Sequence, residues 1–266
     1  MARSSRITKD NANYHIMSRT NAKAFLFDNG RLKSSIVGIL KRVAAFSGVK
    51  LHAYCIMDDH FHIVCNIPKN DKPLPEKLIL ERLGILKGRI AAEELRNKLA
   101  SFKKDNAHEL VEEELNRWRK RMGNVSEFTK TFKELVNIIY KKQHSYCGSI
   151  WSGRFKSTII ESGEYLRNCI RYVEFNPVRA KIVHQAKDYC WSSRNDTLSG
   201  SVPAEGDWVM KRWAQIGNGK ILGSRLFVEL EIGINRMAFN STRVRARQVM
   251  DVTYAAYGYR LADRCA

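Results

Sequence analysis

Several features that mark common protein classes are absent from this sequence of 266 residues. It has only 5 prolines and no low-complexity tract, which excludes collagen-like, mucin-like and globally disordered chains. No run of about eighteen apolar residues is present, and the basic N-terminus lacks the apolar core of a signal peptide. We therefore expect a globular, cytoplasmic protein with no membrane partner.

Paired cysteines are also absent. The 6 cysteines are scattered and form no C-x-x-C pair, which excludes a zinc ribbon and a dithiol redox motif. In a reducing compartment we expect such cysteines to be buried as small apolar residues.

Acidic residues are few compared with basic ones. The chain has 46 Lys and Arg against 27 Asp and Glu, a net charge of +19. A positive field of this size attracts polyanions. Because the excess is spread along the chain and is not confined to one amphipathic helix or tail, it favours nucleic acid over a membrane surface as the partner.

The spacing of apolar residues predicts strands and helices around one helical block. Alternation predicts strands at 14–19, 51–57 and 60–67, and the last two should form an antiparallel hairpin. Helical spacing predicts a helix at 31–46 that ends at Gly48. The remaining predicted elements are helices at 75–99, 109–120 and 125–142, a strand at 151–160, and a helix at 163–176 that Pro177 ends.

This order predicts an α+β fold with an antiparallel sheet and helices on one face. We expect residues 1–185 to form the main domain, with a helical insertion at about 70–145. Residues 186–266 would form a mostly helical C-terminal extension. Its basic segment, 241–249, is either a DNA-contacting helix or an ordinary solvated helix face, and both interpretations stay open. The candidate nucleic-acid contacts in this segment are Arg243, Arg245 and Arg247.

Two histidines stand two residues apart in the third predicted strand. Strand alternation directs His60 and His62 to one face, so the two imidazoles can chelate one ion. A histidine pair on a strand is weak evidence when taken alone, because most single histidines are structural.

The last predicted helix carries two neighbouring stripes. Leu166, Ile170 and Val173 form the expected core stripe. On the other stripe Tyr172 and Asn176 lie one turn apart, so a phenol and a carboxamide oxygen can meet at one point. A tyrosine at the core edge and an asparagine at a helix end are also common structural residues. Tyr165, two turns earlier on the second stripe, is a rival nucleophile.

Three motifs follow one another along the chain: Met57-Asp-Asp-His-Phe-His62, Trp151-Ser-Gly-Arg-Phe-Lys156 and Tyr172-Val-Glu-Phe-Asn-Pro-Val-Arg179. In this order they resemble the single-tyrosine HUH transposases, and most of all their branch of REP-associated tyrosine transposases. The joint occurrence of the three motifs is more specific than any one of them, and the resemblance spans about residues 12–185.

The resemblance implies a ferredoxin-like domain with the histidine pair on a central strand. It also implies that Tyr172 is a nucleophile that forms a 5′-phosphotyrosine, and that Asn176 joins His60 and His62 as ligands of a divalent ion. Mg²⁺ or Mn²⁺ suits phosphate chemistry, and Zn²⁺ is less favoured. The implied activity is metal-dependent cleavage and strand transfer of single-stranded DNA. The sequence departs at Asp58-Asp59, where relatives usually carry Pro-Asn, and this adds negative charge beside the pair.

Basic residues within the motifs are candidate phosphate contacts. Arg154 and Lys156 have same-face spacing on a predicted strand, although ordinary exposed positions explain them equally well. Arg179 is a third candidate. The expected substrate is single-stranded DNA that forms a hairpin, and the protein would be a monomer or a homodimer. Two alternatives stay open: a silent DNA- or RNA-binding regulator on the same scaffold, and a metal-dependent nuclease that uses water.

Overall fold

The described strands form one sheet, and its first four strands are antiparallel neighbours. The computed structural model describes residues 7–68, 72–196, 214–216, 221–223 and 227. The strands are β1 (Ala12–Arg19), β2 (Lys50–Ile56), β3 (His60–Ile67), β4 (Lys156–Ile160), β5 (Ala214–Ile216) and β6 (Ile221–Gly223). The helices are α1 (Gly30–Ser47), α2 (Glu76–Lys87), α3 (Arg89–Lys104), α4 (His108–Arg119), α5 (Val125–His144), α6 (Glu164–Glu174), α7 (Asn176–Arg179) and α8 (Ser193–Asp196).

The strand order is β2-β3-β1-β4-β6-β5. Along the chain the first four of these strands follow the order β1, β2, β3 and β4, with α1 between β1 and β2. The four strands have the ferredoxin-like arrangement, which confirms the predicted fold class. The predicted hairpin of β2 and β3 is also confirmed, since the two strands pair antiparallel with Cys55 opposite His62. Strand β3 lies between β2 and β1, so the histidine pair is on an inner strand of the sheet.

The two faces of the sheet are covered by different helices. The face that carries Tyr14 and Phe61 shares a buried core with α1 and the helices of the insertion. The opposite face, with Cys55 and Val64, packs against α6 through residues such as Val173. The prediction had placed the helices on one face, and the structure adds α6 to the other. The face beneath α6 is the face of the two histidines.

The segment predicted as a helical insertion is helical over α2, α3, α4 and α5, but the first predicted helix is divided. Gly88 has φ 91° and ψ 168°, a conformation outside the helical region, and it separates α2 from α3.

Pro177 was predicted to end a helix, but its position in the structure is different. α6 ends at Glu174, and Pro177 lies in the first turn of the short helix α7, where its missing N–H is tolerated.

The C-terminal extension contributes to the same sheet. β6 pairs parallel with β4, and β5 pairs antiparallel with β6, two strands that the prediction of a mostly helical extension does not include. Residues 189–193 pack along β2, where Ile56 donates its backbone N–H to the Trp191 carbonyl. The boundary at residue 185 stays a prediction. Arg243, Arg245 and Arg247 lie outside the described residues. Within the described part, no helix is long and apolar enough to cross a membrane.

Gly48 ends α1 as predicted, and a substitution there should lower stability. Its φ of 70° lies in the left-handed region, and its N–H is donated to the carbonyls of Ala44 and Ala45. A Cβ at this position would also lie 2.8 Å from the Arg82 guanidinium, which would have to shift. We expect Gly48→Ala to lower the free energy of unfolding by about 1–2 kcal/mol, measured by urea denaturation.

Gly38, in the middle of the same helix, provides the matched control. It has helical geometry, and nothing lies within 4 Å of a Cβ added to it. Gly38→Ala should therefore raise the free energy of unfolding by about 0.5–1 kcal/mol. Equal effects of the two substitutions would contradict the assignment of Gly48 as a left-handed helix cap.

Candidate active site

Phe61, between the two histidines, fixes the direction in which they point. Its ring is fully buried and makes edge contacts with Phe132 of α5 at 5.0 Å and with Trp151 at 5.6 Å between ring centroids. Because side chains alternate along a strand, this anchoring directs His60 and His62 to the opposite face of β3. The two imidazole centroids are 5.0 Å apart.

His62 is fully buried and contacts a third histidine. Its Nδ1 lies 2.8 Å from Nε2 of His15, a hydrogen bond whose donor depends on the tautomers. The two rings stack with centroids 5.0 Å apart. The other ring nitrogen of His62, Nε2, is buried and has no hydrogen-bond partner in the described part of the chain. A buried nitrogen without a partner is uncommon, and it fits a nitrogen that binds a ligand.

His60 is held by the acidic turn before it. Its Nδ1 lies 2.5 Å from a carboxylate oxygen of Asp59. Burial acts to raise the pKa of this carboxyl, but the bond to His60 and the charges of His60 and Arg19 outweigh it, so the pKa is lowered. A carboxylate on one ring nitrogen of a histidine orients the other nitrogen for a metal ion.

Asp58, the other acid of the turn, forms an ion pair with Lys33 of α1. The Lys33 side chain is buried, and its ammonium also lies 4.5 Å from the centroid of the Trp191 ring. The two negative charges of this turn thus each have a specific partner. One joins the turn to α1, and the other joins it to His60.

The imidazoles of His15 and His62 are neutral at pH 7. Burial, with the charge of Arg179, lowers the pKa of His15 to about 4. Burial also lowers the pKa of His62 well below its ordinary value, and His15, His60 and Arg179 add to the effect. A neutral imidazole is the form that binds a metal ion.

Tyr172 of α6 lies against this histidine cluster. Its ring centroid is 5.7 Å from that of His62 and 6.0 Å from that of His15, both in edge geometry. Tyr165 is two helical turns earlier, about 10 Å along the helix axis. The structure therefore brings the predicted nucleophile, and not its rival, to the histidines.

The packing of α6 differs from the predicted stripes. Cys169, Tyr172 and Val173 are buried, whereas Leu166 and Ile170, expected on the core face, are only partly buried. Both stripes of α6 thus pack against this core, with Leu166 and Ile170 at its edge. The burial of the second stripe places the Tyr172 ring beside the histidines.

Arg179 covers the Tyr172 ring. Its guanidinium carbon is 3.8 Å from the ring centroid, and one guanidinium nitrogen donates to the Tyr172 carbonyl at 2.6 Å. A guanidinium over a phenol face is an attractive cation–π arrangement. Its role as a nucleic-acid contact stays a prediction, but its place beside the tyrosine is fixed.

Asn176 is buried one turn after Tyr172, at the start of α7. Its carboxamide makes no hydrogen bond to either histidine within the described residues. In that part of the chain no group of three His, Cys, Asp or Glu side chains could hold an ion by itself. The imidazoles of His60 and His62 stay the predicted donors, and the Nε2 of His62 is buried without a hydrogen-bond partner among the described residues. The Asn176 carboxamide is a candidate third donor.

Lys156 and Arg154 are both exposed but differ in position. Lys156 begins β4 and pairs with Met17, which on its other side pairs with His62, so all three share the face of the site. Arg154 does not lie on the strand as predicted, because it precedes β4 in a bend after Trp151. The contacts of both residues with nucleic acid stay predictions.

His15 is the residue that the sequence motifs missed. It stands on β1 and precedes the first of the three motifs, so no local pattern marks it. Strand alternation is the one sequence signal for its orientation, because it places His15, Met17 and Arg19 on the face opposite Tyr14 and Ile16. Its partner depends on the register of β1 against β3, which the sequence does not give.

Comparison with known proteins gives one family match and two structural likenesses. Residues 8–75 match the family model described as "Transposase IS200 like". A solved REP-associated tyrosine transposase bound to a REP hairpin is 16% identical, with a TM-score of 0.45, over 78% of this chain and 93% of that one. A candidate transposase from Deinococcus radiodurans R1 is 16% identical, with a TM-score of 0.28, over 64% of this chain and 93% of that one.

No curated protein matches the chain. The two structural likenesses are too weak to carry an argument about activity. The matched segment contains β1, α1, β2 and β3, and therefore includes His15, His60 and His62. Over residues 8–75 the chain matches the IS200-like transposase family, which confirms the resemblance that the sequence motifs indicated.

Proposed function

We propose that this protein is a metal-dependent single-strand DNA endonuclease and strand transferase that acts through a 5′-phosphotyrosine on Tyr172. The family match supports a transposase role, with DNA as the partner. The observation that carries the finer proposal is the position of the Tyr172 ring, 5.7 Å from His62 and beneath the Arg179 guanidinium. Because tyrosine and histidines belong to one chain, the geometry supports a nucleophile that acts in its own subunit.

The reaction transfers a phosphoryl group from a DNA oxygen to a phenol oxygen. The Tyr172 hydroxyl loses its proton as its oxygen attacks phosphorus, and the bond from phosphorus to the 3′ oxygen breaks. The 3′ oxygen leaves with the electron pair of that bond and takes up a proton, which gives a free 3′-hydroxyl. A 3′-hydroxyl of another strand can reverse the step and complete the transfer without ATP.

The phosphate is anionic, so the site must reduce its charge before a phenol can attack. His60 and His62, with Asn176 as the candidate third ligand, would hold Mg²⁺ or Mn²⁺, which supplies Lewis-acid polarisation of a non-bridging oxygen. Arg179 is placed to stabilise negative charge at the phenol oxygen and at the phosphate. The packing of Tyr172 against two histidines restricts its rotation and so limits the entropy lost on attack.

Basic residues around the site would guide the strand. Lys156 lies on the histidine face of the sheet, and Arg154 lies in the bend between the buried Trp151 and β4. Such contacts supply affinity that depends on salt but not on sequence. We propose single-stranded DNA with a hairpin as the substrate, as the family resemblance implies.

The direct test is a covalent adduct. The protein is incubated with a 5′-labelled or 3′-labelled hairpin-containing single strand and Mn²⁺, and the products are separated on a denaturing gel. We expect label to stay with the protein only when it lies 3′ of the cut, and peptide mapping to place the linkage on Tyr172. Cleavage without an adduct would favour a nuclease that uses water, and binding without cleavage would favour a silent regulator.

Asp59 should increase the affinity of the site for its ion. Its carboxylate orients His60 through Nδ1, so Asp59→Ala should weaken Mn²⁺ binding by a factor of about 10–100, measured by isothermal titration calorimetry. Asp59→Asn keeps an oxygen that can accept a hydrogen bond from His60 Nδ1, so it should lose less Mn²⁺ affinity than Asp59→Ala.

Asp58 provides the matched control for this prediction, because it is the neighbouring acid and pairs with Lys33 instead of a histidine. Asp58→Asn should change Mn²⁺ affinity by less than a factor of about 3, since its charge is already neutralised by its partner. If Asp58→Asn weakened Mn²⁺ binding more than Asp59→Ala, the contact between Asp59 and His60 would not be the cause.

A further inference from the structure

His15 and His62 form a buried pair of imidazoles on neighbouring strands. His15 is on β1 and His62 on β3, and both side chains rise from the face beneath α6. They are 3% and 0% exposed, and His15 Nε2 lies 2.8 Å from His62 Nδ1. Burial of two polar rings is unfavourable unless they are hydrogen bonded, so the contact between them is a defined feature of the site.

The proton of this hydrogen bond has two alternative positions. If it belongs to His15 Nε2, then neutral His62 carries its own proton on Nε2, and a buried donor is left without an acceptor. If it belongs to His62 Nδ1, then His62 Nε2 carries a lone pair and no proton. Only the second arrangement leaves a nitrogen that can bind a cation.

We propose that His15 is a positioning residue that accepts the Nδ1 proton of His62 and so directs the lone pair of His62 Nε2 into the ion site. This inference rests on the proposed function, because it assigns His62 Nε2 to the same ion. His15 Nε2 is bonded to His62 in both tautomers, so His15 would act on the ion through His62. In this proposal His15 orients His62 in the same way as Asp59 orients His60. Each of the two proposed ligand histidines then has its own orienting partner.

His15 also contacts Tyr172, in addition to its hydrogen bond with His62. The edge of the Tyr172 ring packs against His15 as well as His62, with the centroids of Tyr172 and His15 6.0 Å apart. A side chain at position 15 therefore supports the nucleophile and one ligand together. Phenylalanine at this position would keep the ring packing and remove the acceptor nitrogen, which separates the two contributions.

The first experiment reads the tautomer in the metal-free wild-type protein. Imidazole ¹⁵N shifts from a long-range proton–nitrogen correlation spectrum distinguish a protonated from an unprotonated ring nitrogen. We expect His62 to carry its proton on Nδ1. A proton on His62 Nε2 would overturn the proposal. Because this measurement needs neither metal nor DNA, the expected tautomer in a protein that forms no DNA adduct would support the His15 contact and refute the proposed function.

The second experiment measures Mn²⁺ affinity by calorimetry. His15→Phe should weaken binding by a factor of about 10–100, and His15→Gln, whose carbonyl can accept the same proton, should recover part of the loss. The control is His52→Phe on β2, a histidine that bonds to Asn13 and not to the pair. We expect it to bind Mn²⁺ like the wild type. Folded His15→Phe protein, verified by circular dichroism, with unchanged Mn²⁺ affinity would overturn the proposal. If His15→Phe fails to fold, a folded His15→Gln protein that still binds Mn²⁺, with a lower affinity than the wild type, supports the proposal. A folded His15→Gln protein with no measurable Mn²⁺ binding contradicts it.

Discussion

Tyr172→Phe is expected to abolish the covalent protein–DNA adduct and to reduce strand cleavage by a factor of about 10⁴–10⁶. The substitution removes the oxygen that we propose attacks phosphorus. It keeps the ring that contacts His15 and His62 and that lies beneath Arg179, so the packing of α6 should be retained. The readout is the fraction of labelled hairpin strand that stays with the protein on a denaturing gel in the presence of Mn²⁺.

Tyr165→Phe is the matched control for this prediction. It removes a phenol oxygen from the same helix, two turns before Tyr172, and should leave adduct formation unchanged. DNA affinity should be the same for both variants, because it depends mainly on phosphate contacts. If the adduct persisted in Tyr172→Phe and disappeared in Tyr165→Phe, Tyr165 would be the nucleophile. In that case α6 would have to move when DNA binds.

Much of the scaffold could be predicted because local signals were strong. Alternation and the turn at Asp58-Asp59 predicted β3 with its observed bounds, and Gly48 marked the end of α1. The division of the first insertion helix at Gly88 was missed, because a single glycine within a helical pattern is often tolerated. The arrangement of the C-terminal strands depends on pairing with β4, and sequence spacing carries no information about that partner.

The sequence predicts the candidate site residues, but it does not give the contacts between them. Periodicity showed that α6 is amphipathic, but it favoured the stripe of Leu166 and Ile170 as the core side. The structure also buries Cys169 and Tyr172 of the neighbouring stripe against the sheet face that carries the histidines. His15 was missed for a related reason. Its partner is set by the register between strands, which is a property of the folded sheet.

His62→Ala is expected to abolish Mn²⁺-dependent cleavage, with a loss of at least about 10³-fold, and to leave DNA affinity within a factor of about 3. The substitution removes the nitrogen that is buried without a partner and the bond to His15. Since His62 is fully buried, alanine also leaves a cavity and should lower stability by about 2–4 kcal/mol. His60→Ala should give the same loss of cleavage, and chelation of the metal from wild-type protein should reproduce it.

The loss of cleavage must be separated from the loss of stability. His52→Ala, on the neighbouring strand β2, removes a half-buried imidazole that bonds to Asn13, and it should cleave like the wild type. His62→Gln is a second variant that separates cleavage from stability. Its side chain fills more of the cavity than alanine does, but it offers an amide in place of an imidazole. We expect it to fold more stably than His62→Ala and to cleave no better. If cleavage instead recovered in proportion to stability across the two His62 variants, His62 would be a packing residue. The ion, if one is needed, would then be held elsewhere, and the close approach of Tyr172 to His62 would no longer be evidence for catalysis.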